Sequence, residues 1–339
     1  MKGFARQRLK MVAGSKNQVA RQTLPKEGFG EASLLTANIK HKAIQLGFDA
    51  CGIARAGYLE SEQNHFDAWL QQGMHADMAY MQNNAALRLN PSLLVDGAKS
   101  VICLLMNYKP AEQQNGQAPK IARYAYGRDY HDIIWEKLNL LLDYIRQCTP
   151  EVKGRGFSDS APVFEKAWTV RAGLGWIGKN SILISPVFGS FIFLAELIVD
   201  IELDYDQPYA SNGCGECNRC MANCPTGAIY APKTVDARKC ISYQTIENKG
   251  VITVDTNGWL FGCDICLQVC PWNKRTPASK HTELAPLPQI LSMTADDWQN
   301  ITEDEFKAIF RQSPLKRAKY AGIKRNLKHV LDHLSNKDL

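Results

Sequence analysis

Cys214, Cys217, Cys220 and Cys224 stand at intervals of two, two and three residues ahead of Pro225. This is the spacing of iron–sulfur modules that hold two cubane clusters, in which the fourth cysteine crosses to the other cluster. A second half follows: Cys240 alone, then Cys263, Cys266 and Cys270 ahead of Pro271. The crossover rule gives Cys214, Cys217, Cys220 and Cys270 to one four-iron four-sulfur cluster, and Cys224, Cys240, Cys263 and Cys266 to the other. Closely spaced thiolates reach adjacent irons of a cube. A proline after the last one ends the local turn without adding an N–H, and nearby amides are free to point at sulfur. Cys240 departs from the run, lying 23 residues before Cys263. Structural zinc would also take four thiolates per site, but the doubled spacing with proline favours iron–sulfur chemistry and single-electron transfer. Cys51, Cys103 and Cys148, in apolar or helix-end contexts, read as packing residues.

Electrons need a destination, and residues 154–180 (GRGFSDSAPVFEKAWTVRAGLGWIGKN) are dense in polar groups and glycine. Gly173-x-Gly175-x2-Gly178 matches the dinucleotide fingerprint formally, with Glu196 in the acidic position. It follows a helical pattern and precedes a strand, the reverse of the required order, so these glycines instead suit a backbone approached by a flat or bulky ligand. Asp159, ahead of Pro162, has two readings: N-cap of a helix starting near Pro162, or proton donor in a partly dry pocket. Glu165 and Lys166 fit a solvated helix face. Residues 123–131 (RYAYGRDYH) mix aromatics with arginine, a composition for stacking and phosphate contact. Asp129-x-His131 opens like the cobalamin Asp-x-His-x-x-Gly motif, but Ile134 stands where glycine is required, so a histidine ligand to cobalt is not supported.

The elements that must position these groups are partly readable. Leu35, Ile39, Ala43 and Leu46 recur at helical spacing before Gly47. Ser100 to Tyr108 is a buried strand by its apolar run, and residues 112–117 a loop. Ile134, Leu138, Leu141 and Ile145 mark an amphipathic helix over 132–147. A further helix over 163–172 and a strand over 191–199 complete an α+β pattern. The expected organisation is a basic, disordered extension (1–32), a catalytic domain (33–203), a small metal-stapled module (204–280) and a helical basic C-terminal region (281–339).

The chain has 339 residues, 45% hydrophobic and 22% charged, with a net charge of +6. Disorder is excluded by this composition. The most apolar region, Ser181 to Leu203, is broken by Pro186, Gly189, Glu196 and Asp200, which argues against a membrane span. Lys2, Arg6, Arg8, Lys10, Lys16, Arg21 and Lys26 precede no apolar signal run. A cytoplasmic, reducing location is therefore expected, where clustered cysteines bind metal.

Arg123-Tyr124, Gly127 to His131, Asp159-Ser160-Ala161-Pro162, Arg171 to Asn180 (RAGLGWIGKN), the cysteine run, and Cys263-Asp264-Ile265-Cys266 with Cys270-Pro271-Trp272-Asn273 together resemble the epoxyqueuosine reductase family over residues 33–330. The resemblance implies a cobalamin-dependent iron–sulfur oxidoreductase related to reductive dehalogenases. It would reduce epoxyqueuosine to queuosine at the wobble position of tRNA, the last step of queuosine biosynthesis. It further implies a nitroreductase-like cobalamin-binding domain followed by a two-cluster bacterial ferredoxin-like module. Asp159 becomes the proton donor, and Arg88, Tyr130, Asp159, Glu165, Lys166, Lys179 and Asn180 the cobalamin contacts. The partners it implies are tRNA with epoxyqueuosine in the anticodon loop and an external electron donor of flavodoxin or ferredoxin type; the chain is expected to be a monomer. Phe310 to Lys328 has seven Lys/Arg and no acid, an RNA surface in this context, with Lys316, Arg317, Lys324 and Arg325 as contacts. Competing readings are a relative acting on an organohalide, and a non-catalytic electron carrier or zinc-stapled RNA-binding protein.

Overall fold

The computed structural model describes residues 31–335. Of the expected basic extension, Lys2 to Lys26 lie outside the described residues, whereas Glu31 and Ala32 already belong to the first helix, α1 (Glu31–Gln45). Gly47, at φ +97°, ends this helix by donating its N–H to the Ile44 carbonyl, a conformation that glycine adopts without steric cost.

Four strands form the central sheet: β1 (Ala50–Arg55), β2 (Ser100–Asn107), β3 (Gly154–Phe157) and β4 (Ile192–Val199). They lie in the order β1-β2-β4-β3 with every neighbour antiparallel. All eight residues of β2 are buried, because helices cover both faces of the sheet. Ile102, Leu104 and Met106 meet α1 and α2 (Tyr130–Cys148) in a core with Ile39, Ile134 and Leu138. Val101 and Cys103, one residue out of phase, meet Ala167 and Trp168 of α3 (Glu165–Arg171) on the other face.

β1 and β3 carry weaker sequence signals than β2 and β4. In β3 the reason is packing. A Cβ at Gly154 would lie 2.9 Å from Leu142 and Val199 atoms, and one at Gly156 3.0 Å from Leu138 Cβ. Two glycines in four residues erase the strand signature, yet they let α2 press directly on the sheet edge.

The cysteine-bearing region is built of short pieces: the hairpin Ile229–Ala231 with Thr234–Val235, and helices Arg219–Ala222, Ile241–Ile246 and Ile265–Gln268. Trp259–Phe261 pairs in parallel with Lys120–Ile121 of the preceding domain. The C-terminal region is built of short helices and ends in α4 (Lys319–Ser335). Thr294 with Asp297, and Thr302 with Glu305, close two capping boxes. Trp298, Phe306, Phe310, Leu315, Ile323 and Leu327 share one core with Ile121, Leu260 and Phe261. The tail thus seals a core contributed by all three regions. Among the described residues no helix is long and apolar enough to cross a membrane.

Candidate active site

Asp159 follows β3 at φ +56°, a left-handed conformation that costs a non-glycine residue about 1–3 kcal/mol and concentrates at functional sites. Its amide donates to Glu165 Oε1. Its carboxylate accepts a hydrogen bond from Tyr130 Oη at 2.7 Å, and His131 Nε2 lies 3.5 Å from the same oxygen. The helix that begins nearby has Phe164 at its N-cap, with no side-chain cap. The capping alternative for Asp159 therefore falls, and Glu165 reaches back to hold the Asp159 amide instead.

Tyr130 and His131 are aimed by the start of α2. Asp129 is its N-cap, accepting from the His131 amide, and its Oδ1 also lies 2.7 Å from His131 Nδ1. The other Asp129 oxygen is 2.7 Å from Lys316 Nζ. A line of alternating charge thus runs Lys316, Asp129, His131, Asp159. Burial opposes charge on His131, but the hydrogen bonds to Asp129 and Asp159 prevail and raise it to about 9. The hydrogen bonds from His131 and Tyr130 hold the Asp159 carboxyl below the usual range. Glu165 moves the other way, to about 8, through burial and the neighbouring Asp159 charge. At neutral pH the site therefore keeps its protons on His131 and Glu165, one on each side of an ionised Asp159.

Of the other expected cofactor contacts, Arg88 is 9% exposed and adds positive potential to Asp159 and Glu165. Lys166 Nζ donates to the Ser181 carbonyl at 2.8 Å. Asn180 is buried, and it is among the groups that influence the Cys266 thiol. Arg88 Nε, Asn180 Nδ2 and Ser181 Oγ are buried polar atoms with no partner. Each such group left unsatisfied costs about 1–3 kcal/mol. Lys179 is tied in through its carbonyl, which accepts from the Lys233 amide at 3.0 Å. Tyr130, Glu165 and Arg88 thus gather around Asp159, Lys166 reaches the Ser181 carbonyl beside Asn180, and Lys179 is fixed by its backbone against Lys233 of the cysteine-bearing region.

The thiols influence one another electrostatically in two neighbourhoods. Cys220 and Cys270 are each influenced by Cys214 and Cys217. Cys263 is influenced by Cys240 and Cys224, and Cys266 by Cys263 and Cys240. Cys240, the residue displaced in sequence, joins the second set because the Ile241–Ile246 helix starts directly after it. Backbone amides point at these sulfurs, from Trp272 to Cys270, from Ser242 and Tyr243 to Cys240, and from Ala228 and Ile229 to Cys224. Among the described residues no three His, Cys, Asp or Glu side chains converge on a point suited to a single ion. Cys51 and Cys103 are buried and Cys148 is exposed.

Sequence reasoning missed two further roles. His131, considered only as a metal ligand, pairs with two carboxylates, and the Asp two residues before it was the available signal. Glu196, a lone acid in the strand IFLAELIV, is fully buried, and neither of its oxygens accepts a hydrogen bond. The basic tail differs from expectation in its internal ties. Lys316 binds Asp129, Arg317 Nε lies 2.8 Å from Glu247, and Lys324 donates to the Gln299 carbonyl. Arg325 donates to the carbonyls of Gln244, Asn248 and Gly250. Arg311, Lys319 and Lys328 remain exposed.

Residues 88–160 match the family model described as epoxyqueuosine reductase QueG, DUF1730, and residues 213–273 that of a 4Fe-4S double cluster binding domain. A Cellulophaga algicola protein named epoxyqueuosine reductase is 50% identical over 293 residues, covering 85% of this chain and 95% of its own. The protein of that name from Escherichia coli is 38% identical over 308 residues, 86% of this chain and 79% of its own. A crystal structure of epoxyqueuosine reductase with an epoxyqueuosine-modified tRNA-Tyr stem loop superposes at TM-score 0.79 and 28% identity, covering 90% of this chain and 82% of that one. A Bacillus subtilis structure, with its catalytic aspartate loop swung out of the active site, gives the same values.

Proposed function

The chain belongs to the epoxyqueuosine reductase family, a family of oxidoreductases, and on that premise we propose that it reduces epoxyqueuosine to queuosine at the wobble position of tRNA with cobalamin and two four-iron four-sulfur clusters. The observation that carries this reading is Asn180, which is buried next to Ser181, the residue whose carbonyl holds Lys166, and which influences Cys266 of the second thiol set. The cleft and the cluster module thereby adjoin, as reduction inside the cleft requires. Cys214, Cys217, Cys220 and Cys270 then hold the outer cluster, and Cys224, Cys240, Cys263 and Cys266 the one beside the cleft. A flavodoxin- or ferredoxin-type donor supplies the electrons.

The partnerless donors of Arg88, Asn180 and Ser181 fit a large ligand rich in amide and phosphate oxygens, as cobalamin is. Arg88, Tyr130, Glu165, Lys166, Lys179 and Asn180 would hold it against a nitroreductase-like domain. Both ring nitrogens of His131 face carboxylates, so His131 would not serve as a ligand to the cobalt. When bound, cobalamin supplies a low-valent cobalt that accepts single electrons and delivers two to substrate. Opening an epoxide to an alkene consumes two electrons and two protons and releases the oxygen as water. Asp159, ionised at rest, takes a proton from the His131 imidazolium and passes it to the departing oxygen, with Tyr130 holding the carboxylate in place. Extrusion of the wobble base from its stack lets it enter the cleft.

The test is anaerobic reconstitution with iron, sulfide and cobalamin, followed by metal analysis, absorbance and assay on epoxyqueuosine tRNA. About eight irons and one tightly held corrinoid per chain, with turnover, are expected. Iron without corrinoid would remove the cobalamin assignment, and zinc with neither would remove the cluster assignment.

The exposed cations of the tail are the RNA-facing set in this reading. Replacing Arg311, Lys319 and Lys328 by glutamine is expected to weaken tRNA binding and to flatten the slope of log affinity against log salt by about 0.7–0.9 for each phosphate no longer neutralised. A salt series that superposes on wild type would place the RNA elsewhere. Lys316 is unsuited to this test, because it also anchors Asp129.

A further inference from the structure

We propose that Lys316, in the C-terminal region, is a positioning residue for proton delivery: by holding one carboxylate oxygen of Asp129 it fixes the other against His131, and so keeps the imidazole aimed at Asp159. The Asp129 amide donates to the Gln312 carbonyl at 2.6 Å, and Oδ2 lies 2.7 Å from Lys316 Nζ. Oδ1 accepts from the His131 amide at 3.2 Å and sits 2.7 Å from His131 Nδ1. His131 Nε2 then faces Asp159 Oδ2 at 3.5 Å. Residues 312–316 therefore hold the start of α2 twice, by backbone and by charge. Those residues are themselves anchored: Ser313, Pro314 and Leu315 are buried, the Ser313 hydroxyl accepts from the Leu315 amide, and Leu315 and Ala318 belong to the tail core. On the other side the Leu287 amide donates to the Tyr126 carbonyl, and a Cβ at Gly127 would lie 2.6 Å from the Leu284 carbonyl oxygen. Residues 126–129 thus run between two pieces of the C-terminal region.

Packing alone does not hold His131, whose side chain is 31% exposed and stacks on the Tyr130 ring at 4.1 Å. Its aim comes from hydrogen bonds, and these are only as fixed as the Asp129 carboxylate. The last torsion of an aspartate is broad and roughly two-fold, so one engaged oxygen leaves the group free to swing. With His131 on Oδ1 and Lys316 on Oδ2, that freedom is gone. A displacement of about 1 Å in such a support can cost about 10²-fold in rate. The proposal rests on the reading of His131 as the source of the Asp159 proton, and it makes Lys316 an internal tie instead of an RNA contact.

The experiment compares Lys316→Met, Lys316→Arg and His131→Gln in the reconstituted protein. Lys316→Met is expected to lower kcat on epoxyqueuosine tRNA by about 10–10²-fold, with KM and the salt dependence of tRNA binding at wild-type values. Lys316→Arg keeps the cation and should restore most of kcat. In the His131→Gln background, Lys316→Met should cost nothing further. A raised KM with unchanged kcat would make Lys316 an RNA contact, and additive losses in the double variant would make its role a general structural one; either result overturns the proposal. A His131→Gln enzyme at full rate would remove the relay reading itself, and the proposal with it. A second readout needs no turnover. Near pH 7, where His131 is charged, proton NMR of protein labelled with ¹⁵N-histidine should show a protected His131 imidazole N–H, identified by its loss in His131→Gln. That resonance should broaden or vanish in Lys316→Met and persist in Lys316→Arg. Its survival in Lys316→Met, or its absence from wild type, would sink the proposal whatever the chain turns over.

Discussion

Asp159→Asn is expected to lower kcat on epoxyqueuosine tRNA by about 10²–10⁴-fold while iron content, corrinoid binding and thermal midpoint stay at wild-type values. The asparagine oxygen still accepts from Tyr130, so the turn keeps that hydrogen bond, and the Asp159 side chain is 64% exposed and adds little to stability. What disappears is a group able to carry a proton between His131 and the leaving oxygen. The imidazolium of His131, maintained to about pH 9 by its two carboxylates, then has no relay to substrate. Full turnover in this variant, or a lowered midpoint with residual activity, would show that the carboxylate is structural.

The second large effect separates the two thiol sets. Cys224→Ala and Cys266→Ala should each remove the same cluster, lowering iron from about eight to about four per chain. Their electron paramagnetic resonance spectra should then coincide. Cys214→Ala and Cys270→Ala should both remove the other cluster, although 56 residues separate them in sequence. Turnover should fall to background in all four variants, since electrons must pass through both clusters to reach the cleft. Pairing Cys270 with Cys266 by spectrum, rather than with Cys214, would disprove the crossover. Local protection over residues 213–273 should drop as well, because helices of four to six residues draw their order from the ligands.

Much of this arrangement was readable wherever one physical effect dominated the local sequence. Burial on both faces wrote β2 as an unbroken apolar run, and one buried stripe wrote α2. Cluster geometry likewise imposes its thiol spacing whatever the neighbours. β3 was hidden because close packing by α2 selected Gly154 and Gly156, which carry no strand preference. The cleft was legible as a set of polar residues but not as a network: which proton sits on His131, Glu165 or Asp159 depends on distances between segments far apart in the chain. The tail showed the same limit. Its cations read as a free surface, yet Lys316 and Arg325 hold residues far upstream, which only the folded chain reveals.

The parallel pairing of Trp259–Phe261 with Lys120–Ile121, and the core these strands share with the tail, bear on how electrons travel. A carrier on a hinged arm must swing, and its transfer rate falls as the solvent thickens. Here the cysteine module is joined to the Lys120–Ile121 strand, which precedes α2, by backbone hydrogen bonds and buried aromatic side chains. In the proposed reduction, the gap an electron crosses is thus set once, during folding, and transfer is expected to proceed over a fixed span, at a rate that does not fall as solvent viscosity rises.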